Sequence, residues 1–294
     1  TFRPDWISLH YVPYAFHPKG LPYPLTRCLS SPHITTPWHV MAHELWVDPS
    51  SGIVNRILSK VQREILGKLL RSLKPQVVHT TNFWYRNQLR SIGQPADVLP
   101  LFSNINLAPM IPSGLEPSLE GSSSWRFLLF GSINKEWRPE ALLESIKAAK
   151  KFHDIDTCHF VSIGNLAGFA KALWDSMGDY CADASFTFSR LGELSPEQVS
   201  FEMQRADFGI AVTPSHLIGK SASAAAMLSH GLPIIINRLT DSCDDWHRHL
   251  KSTGKYILVD SSFSEQMGSA RKFEPSNCLS EVADQFISSL QAAV

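Results

Sequence analysis

The sequence predicts an α/β fold, with parallel sheets covered by helices on both faces and the chain divided into two domains. Three observations carry this. Apolar runs of strand length alternate with amphipathic helix patterns along almost the whole chain. The chain has 294 residues, 44% of them hydrophobic and 18% charged, a length suited to two domains and a balance suited to buried cores. A stretch rich in Pro, Gly and Ser at 109–124 breaks the alternation, and an apolar strand begins directly after it at Trp125.

Strands are expected at 6–12, 38–44, 77–81 and 97–102 before the break, and at 126–132, 158–163, 186–191, 207–213, 233–237 and 256–259 after it. Helices fall between them at 53–73, 83–91, 138–152, 168–178, 196–205, 221–230, 243–252 and 277–292. The first of these carries apolar residues at 53, 54, 57, 58, 61, 65, 66, 69 and 70, a 3.6-residue period. The last follows Pro275, with Ser276 and Asn277 as candidate caps. The expected division is residues 1–108, a linker at 109–124, and residues 125–294, with the last helix able to return to the first domain. Both domains read as Rossmann-like. The second is complete and the first, with fewer strands, reads as incomplete. The chain opens at Thr1 and runs at once into a strand, so an N-terminal truncation is expected.

Composition excludes several classes. With 27 basic and 27 acidic residues, no overall field draws nucleic acid or an anionic membrane nonspecifically. No apolar run reaches the ~18 residues of a transmembrane helix. The five cysteines, 28, 158, 181, 243 and 278, are odd in number and form no C-x-x-C pair, which suits free thiols in a reducing, cytoplasmic compartment.

Ligands of such folds bind beyond the C-terminal ends of the strands. Those ends carry His10 and Tyr14, His43 and Glu44, Asn82, the run Gly131-Ser132-Ile133-Asn134, Gly164, and Ser215-His-Leu-Ile-Gly-Lys-Ser221. With a linker between the domains, these ends describe a cleft between two facing domains. The last run is the most informative. It follows an apolar strand, precedes the small-residue helix Ala222–Ser229, and leads through His230-Gly231-Leu232-Pro233 to another strand. Free N–H groups at that helix start suit a phosphate. Gly219 permits close approach, Lys220 adds charge, and Ser221 can cap the helix. A P-loop is excluded, because Pro214 stands where its first glycine belongs. Asp154 and Asp156, with His153, Cys158 and His159 nearby, lack the ordered spacing of a metal site, so no metal is expected.

Several segments together resemble a GT-B glycosyltransferase of the group 1 type, family 4. They are Trp38-His-Val-Met-Ala-His-Glu-Leu45, Val77-Val-His-Thr-Thr-Asn82, Phe130-Gly-Ser-Ile133, Leu191-Gly-Glu-Leu-Ser-Pro-Glu-Gln198, Ala206-Asp-Phe-Gly-Ile-Ala-Val-Thr-Pro214 and Ala226-Met-Leu-Ser-His-Gly-Leu-Pro-Ile234. The resemblance implies sugar transfer from a nucleoside-diphosphate sugar, with retention and without a metal or other cofactor. The acceptor would be a glycan, a lipid-linked molecule or a small molecule; the partners include no nucleic acid, and peripheral membrane contact is compatible with the reading. It places Gly131, Ser132, Asn134, Gly164, Gly219, Lys220 and Ser221 at the donor, His43 at the reacting sugar, and His10, Tyr14, Glu44 and Asn82 on the acceptor side. Two glutamates that the family usually carries fall on Ile218 and Ala226, and its arginine and lysine fall on Ser132 and near Trp137. Lys220, Lys135 and Arg138 are candidate replacements for the basic pair. The missing glutamates keep two other readings open: an inactive binding or scaffold protein of the same fold, and a sugar-nucleotide epimerase, which would need cleft carboxylates.

Overall fold

The structure is a computed structural model that describes residues 3–29, 35–49, 52–109, 123–181, 185–240 and 244–293. Most of the expected linker, residues 110–122, lies outside these. The chain forms two compact units, one of Thr1–Leu101 with Ser280–Val294 and one of Phe102–Leu279.

In the first unit, β1 (Ile7–Tyr11), β2 (Trp38–Ala42), β3 (Val77–Thr80) and β4 (Asp97–Val98) form a parallel sheet in that order. The central strands are buried on both faces, which is why they read as continuous runs. Two short helices that the sequence pattern does not announce, α1 (Pro13–Phe16) and α2 (Tyr23–Leu29), occupy the connection after β1. The long α3 (Ile53–Leu73) follows β2, and α4 (Phe83–Arg90) follows β3. The fourth strand is shorter than its apolar run and stops at Val98.

The second unit has β5 (Ser124–Phe130), β6 (Thr157–Ile163), β7 (Phe186–Gly192), β8 (Phe208–Ala211), β9 (Ile234–Ile236) and β10 (Tyr256–Leu258). Helices α5 (Glu140–Phe152), α6 (Phe169–Cys181), α7 (Pro196–Arg205), α8 (Ala222–Ser229), α9 (Asp244–Ser252) and α10 (Phe263–Ser269) lie between or after them. The final helix, α11 (Leu279–Gln291), belongs to the first unit apart from its first residue. The sheet order is β10-β9-β8-β5-β6-β7, all parallel. Starting from the middle, β5, β6 and β7 run outward one way and β8, β9 and β10 the other, the doubly wound order with its switch point between β5 and β8.

Register explains much of the packing here. Phe208, Phe127, Phe160 and Phe188 stand opposite one another on β8, β5, β6 and β7. Their rings stack in sequence at 5.4, 4.8 and 4.8 Å. Each such pair adds about 0.5–1.5 kcal/mol beyond the area it buries. Trp137, Leu142, Ile146 and Trp174 cover this face, while Val199, Met203, Met227 and Leu232 pack against the other.

Candidate functional site

The strand order directs attention to the C-terminal ends of β5 and β8. Gly131 follows β5 at φ 98°, and Gly164 follows β6 at φ 117°. Both angles lie where a side chain is strained. The two turns touch: a Cβ on Gly164 would stand 3.4 Å from the Gly131 backbone. A Cβ on Gly131 would in turn stand 3.8 Å from Cβ of Ser223, in the first turn of α8. The switch point therefore brings together two glycine turns and the start of a helix, and small residues keep the space between them open.

The sequence expectation of a plain glycine turn at 215–221 is modified. Ser215–Lys220 forms a 3-10 helix, with Gly219 inside it, and Ser221 then caps α8. Trp246 Nε1 donates to the Ser215 carbonyl at 2.8 Å, and Ser215 Oγ meets His247 Nε2 at 2.8 Å, so α9 pins the start of this turn. The Ser221 hydroxyl accepts from Ala224 N–H at 3.3 Å and meets the Ser223 hydroxyl at 3.1 Å. The amides of Ala222 and Ser223, like all first-turn amides, have no partner within the helix and suit an anion. Ser221→Ala is expected to cost about 1 kcal/mol, read as a lowered denaturation midpoint of the second unit.

The loop after Gly131 is held from the far side of the switch point. Trp137 is fully buried, and its Nε1 donates to Asn237 Oδ1 at 2.8 Å. Asn237 Nδ2 donates to the Arg138 carbonyl, and Arg238 pairs with Glu136, both at 2.7 Å. Ser132 and Asn134 are exposed on this loop, and Asn134 Oδ1 accepts from Glu136 N–H. Lys135 and Arg138 are exposed there too, and Lys220 is half-buried at the end of the 3-10 turn.

In the first unit, His43 just past β2 meets His10 on β1, with Nε2 and Nδ1 2.9 Å apart. Burial, then the His10 charge, lowers the His43 pKa against the opposing pull of Glu44. Glu44 is half-buried beside it, and its N–H, like that of His43, donates to the Tyr11 carbonyl. Tyr14 lies exposed on α1. Asn82 is buried and caps α4, its Oδ1 accepting from Tyr85 N–H at 2.8 Å.

Two residues of this face were not singled out from sequence. His39 Nε2 meets His79 Nδ1 at 3.1 Å, His39 Nδ1 meets Ser8 Oγ at 2.8 Å, and Phe286 of α11 lies edge-on 5.0 Å from His39. The two-residue period of a strand puts His39 and His43 on one face, which is the signal available in the sequence. Ser223 was also missed; it is the second residue of a helix whose cap the sequence does show. Among the described residues, no group of His, Cys, Asp and Glu could hold a metal ion.

No family model matches the sequence, and no curated protein matches it. Solved structures do. Sucrose-phosphate synthase from Thermosynechococcus elongatus is 12% identical, with 99% of this chain and 74% of that one covered and a TM-score of 0.57. A UDP-forming α,α-trehalose-phosphate synthase from Burkholderia xenovorans is 10% identical over 98% and 74% of the two chains, with a TM-score of 0.60. An Escherichia coli trehalose-6-phosphate protein bound with UDP-2-fluoro glucose is 9% identical over 98% and 68%, with a TM-score of 0.55. Likeness at such identities is a likeness of backbone, and with the two parallel sheets described above it shows that this chain has the GT-B fold of two Rossmann-like units.

Proposed function

We propose that the chain is a glycosyltransferase that takes a sugar from a nucleoside-diphosphate sugar, without a metal and with retention at the anomeric carbon. The acceptor is a glycan, a lipid-linked molecule or a small molecule. The observation that carries the reading is the meeting of Gly131, Gly164 and the first turn of α8 at the switch point of the second sheet. The donor diphosphate binds there, against Gly131, Gly164, the amides of α8, and Lys220 with Gly219 and Ser221 beside it. Ser132 and Asn134 flank it on the β5 loop. When the sugar–phosphate bond breaks, these dipoles and the lysine stabilise the charge growing on the diphosphate. UDP is the first base to try, since one structure of this fold holds UDP-2-fluoro glucose. His43, kept neutral by burial, can exchange a hydrogen bond with a sugar hydroxyl; His10, Tyr14, Glu44 and Asn82 belong to the acceptor side.

A second reading, a binding protein without turnover, has its own observation. Ile218 and Ala226, where the resembled family carries glutamates, are both buried in the apolar cluster under α8. No carboxylate contacts a donor from those positions.

Two experiments separate these. Thermal shifts with UDP, GDP, ADP, TDP and CDP are compared in the wild type, Lys220→Ala and Ser223→Asp. One diphosphate is expected to raise Tm in the wild type and to bind at least tenfold more weakly, ~1.4 kcal/mol, in both variants. Ser223→Asp is the sharper probe, because a carboxylate in the first turn favours the helix while repelling the phosphate. If no nucleotide shifts Tm, the donor site is wrong. If one does, but the matching sugar nucleotide is neither hydrolysed nor used, the binding-only reading holds.

A further inference from the structure

The overall charge is zero, yet the first unit concentrates cations in one place. The helix α3 carries Arg56, Lys60, Arg63, Lys68 and Arg71 against Glu64 alone, and α2, which packs on it, carries Arg27 and no acid. Glu64 lies toward the C-terminal half of α3, where it pairs with Lys68 and Arg71. No ion pair among the described residues takes up Arg27, Arg56 or Lys60.

The same end of α3 is apolar where it should not be. Its periodicity makes 53, 54 and 57 look like the start of the core stripe. Instead Ile53, Val54 and Ile57 are 74%, 76% and 60% exposed, and the buried stripe begins only at Ser59 and Gln62. Ile53 and Ile57, four apart, lie on the outward stripe that continues through Lys60. The first turns of α3 thus present isoleucine and valine side chains beside Arg56 and Lys60, on the side away from the buried Gln62. Large exposed apolar residues gathered in one place mark an interaction surface. Apolar tips flanked by long cations match the layered chemistry of a bilayer surface, hydrocarbon below an anionic headgroup plane, whereas a protein interface is depleted of lysine.

We propose that the N-terminal turns of α3 dock this chain on an anionic lipid bilayer through Ile53, Val54 and Ile57, with Arg56 and Lys60 at the headgroups. The proposal does not rest on the donor site, and the two fail separately.

The test is cosedimentation of the full chain with vesicles of phosphatidylcholine, with and without phosphatidylglycerol, at low and high salt. Binding is expected only with phosphatidylglycerol and is weakened by salt. Arg56→Glu/Lys60→Glu is expected to weaken it at least ~30-fold, from about fivefold for each cation lost. Ile53→Ser/Ile57→Ser is expected to abolish it while leaving Tm and any nucleotide-induced shift unchanged, because both side chains are already exposed. Absence of binding at low salt, or variants that bind like the wild type, overturns the proposal. So does a wild-type dimer in light scattering that the isoleucine variants dissociate, which would make a second copy the occupant.

Discussion

Gly231→Ala is expected to unfold the second unit at far lower denaturant than the wild type. Gly231 ends the turn after α8 at φ 78°, where a Cβ costs about 1–2 kcal/mol. The larger effect comes from its surroundings. A Cβ there would stand 2.1 Å from the Phe273 carbonyl oxygen, a backbone atom that no rotamer change can move. Phe273 is itself fixed, its N–H donating to the Gly231 carbonyl at 3.0 Å, and Ser276 N–H donates to the Ser229 carbonyl at 3.0 Å. Separating the segment after α10 from the end of α8 would break these bonds and displace Leu232, next to Gly231 and fully buried in the apolar cluster with Met227. The combined loss is put at roughly 3–5 kcal/mol, in the range of the severe single substitutions. Gly254→Ala supplies the control. Its φ is 68°, in the same unit, with nothing within 4 Å of the added Cβ, so it should show the backbone cost alone. Denaturation followed by the buried Trp137 and Trp174 reads both variants. Equal midpoints for the two would show that the Phe273 contact does not matter.

Acid is expected to weaken the first unit before its carboxylates titrate fully. His39 sits in contact with His79, Ser8 and the Phe286 ring, and burial, followed by the charges of His79, His10 and His43, lowers its pKa to about 4. The unfolded chain takes up this proton near pH 6.5, and the folded chain refuses it until about pH 4. Between those values the unfolded state binds more protons, so stability falls as the pH falls and the loss is complete below about pH 4. For His39 alone the shift corresponds to roughly 3 kcal/mol. His43 and His79 are lowered in the same direction, again chiefly by burial, and add to the slope. The measurement is the denaturation midpoint of the first unit between pH 7.5 and pH 4, in the wild type and in His39→Gln, where the amide keeps hydrogen-bonding capacity without a titrating ring. The variant should show a clearly shallower slope over this window. Parallel profiles would mean that His39 is not refusing the proton.

These residues also show what a sequence discloses and what it withholds. The strands were legible because buried parallel strands read as unbroken apolar runs, as in Ile234–Ile236 or Phe208–Ala211. The switch point was not, because strand order depends on pairings far apart in the chain, such as β5 with β8. Donor-side residues at strand ends could be named individually, yet the contact between Gly131 and Ser223 needs that order to exist. The histidine cluster depends on register in the same way: Met41 stands opposite both His10 and His79, which places those two on the face of His39 and His43. Helix α3 shows the opposite failure. Its apolar residues at 53, 54 and 57 look like the start of the stripe, but Ile53 and Ile57 share an outward face with Lys60, about half a turn from the buried Gln62, Leu66 and Leu69. The 3-10 turn at 215–220 was hidden because its bonds are local and its residues are unremarkable in either conformation.

The return of α11 to the first unit bears on how the molecule is made. Phe286 closes over His39, and Gln285 Nε2 donates to the Val98 carbonyl at 2.9 Å, so the first sheet receives part of its cover from the last helix of the chain. A chain emerging from the ribosome has the whole of Phe102–Leu279 in hand before that helix appears. The second unit, continuous in sequence, can collapse on its own schedule during synthesis. The first must wait with its histidine-bearing face uncovered, and then close a loop as long as the entire second unit. The unit begun before the second is completed only after it, and its waiting surface is the one that a chaperone would have reason to shield.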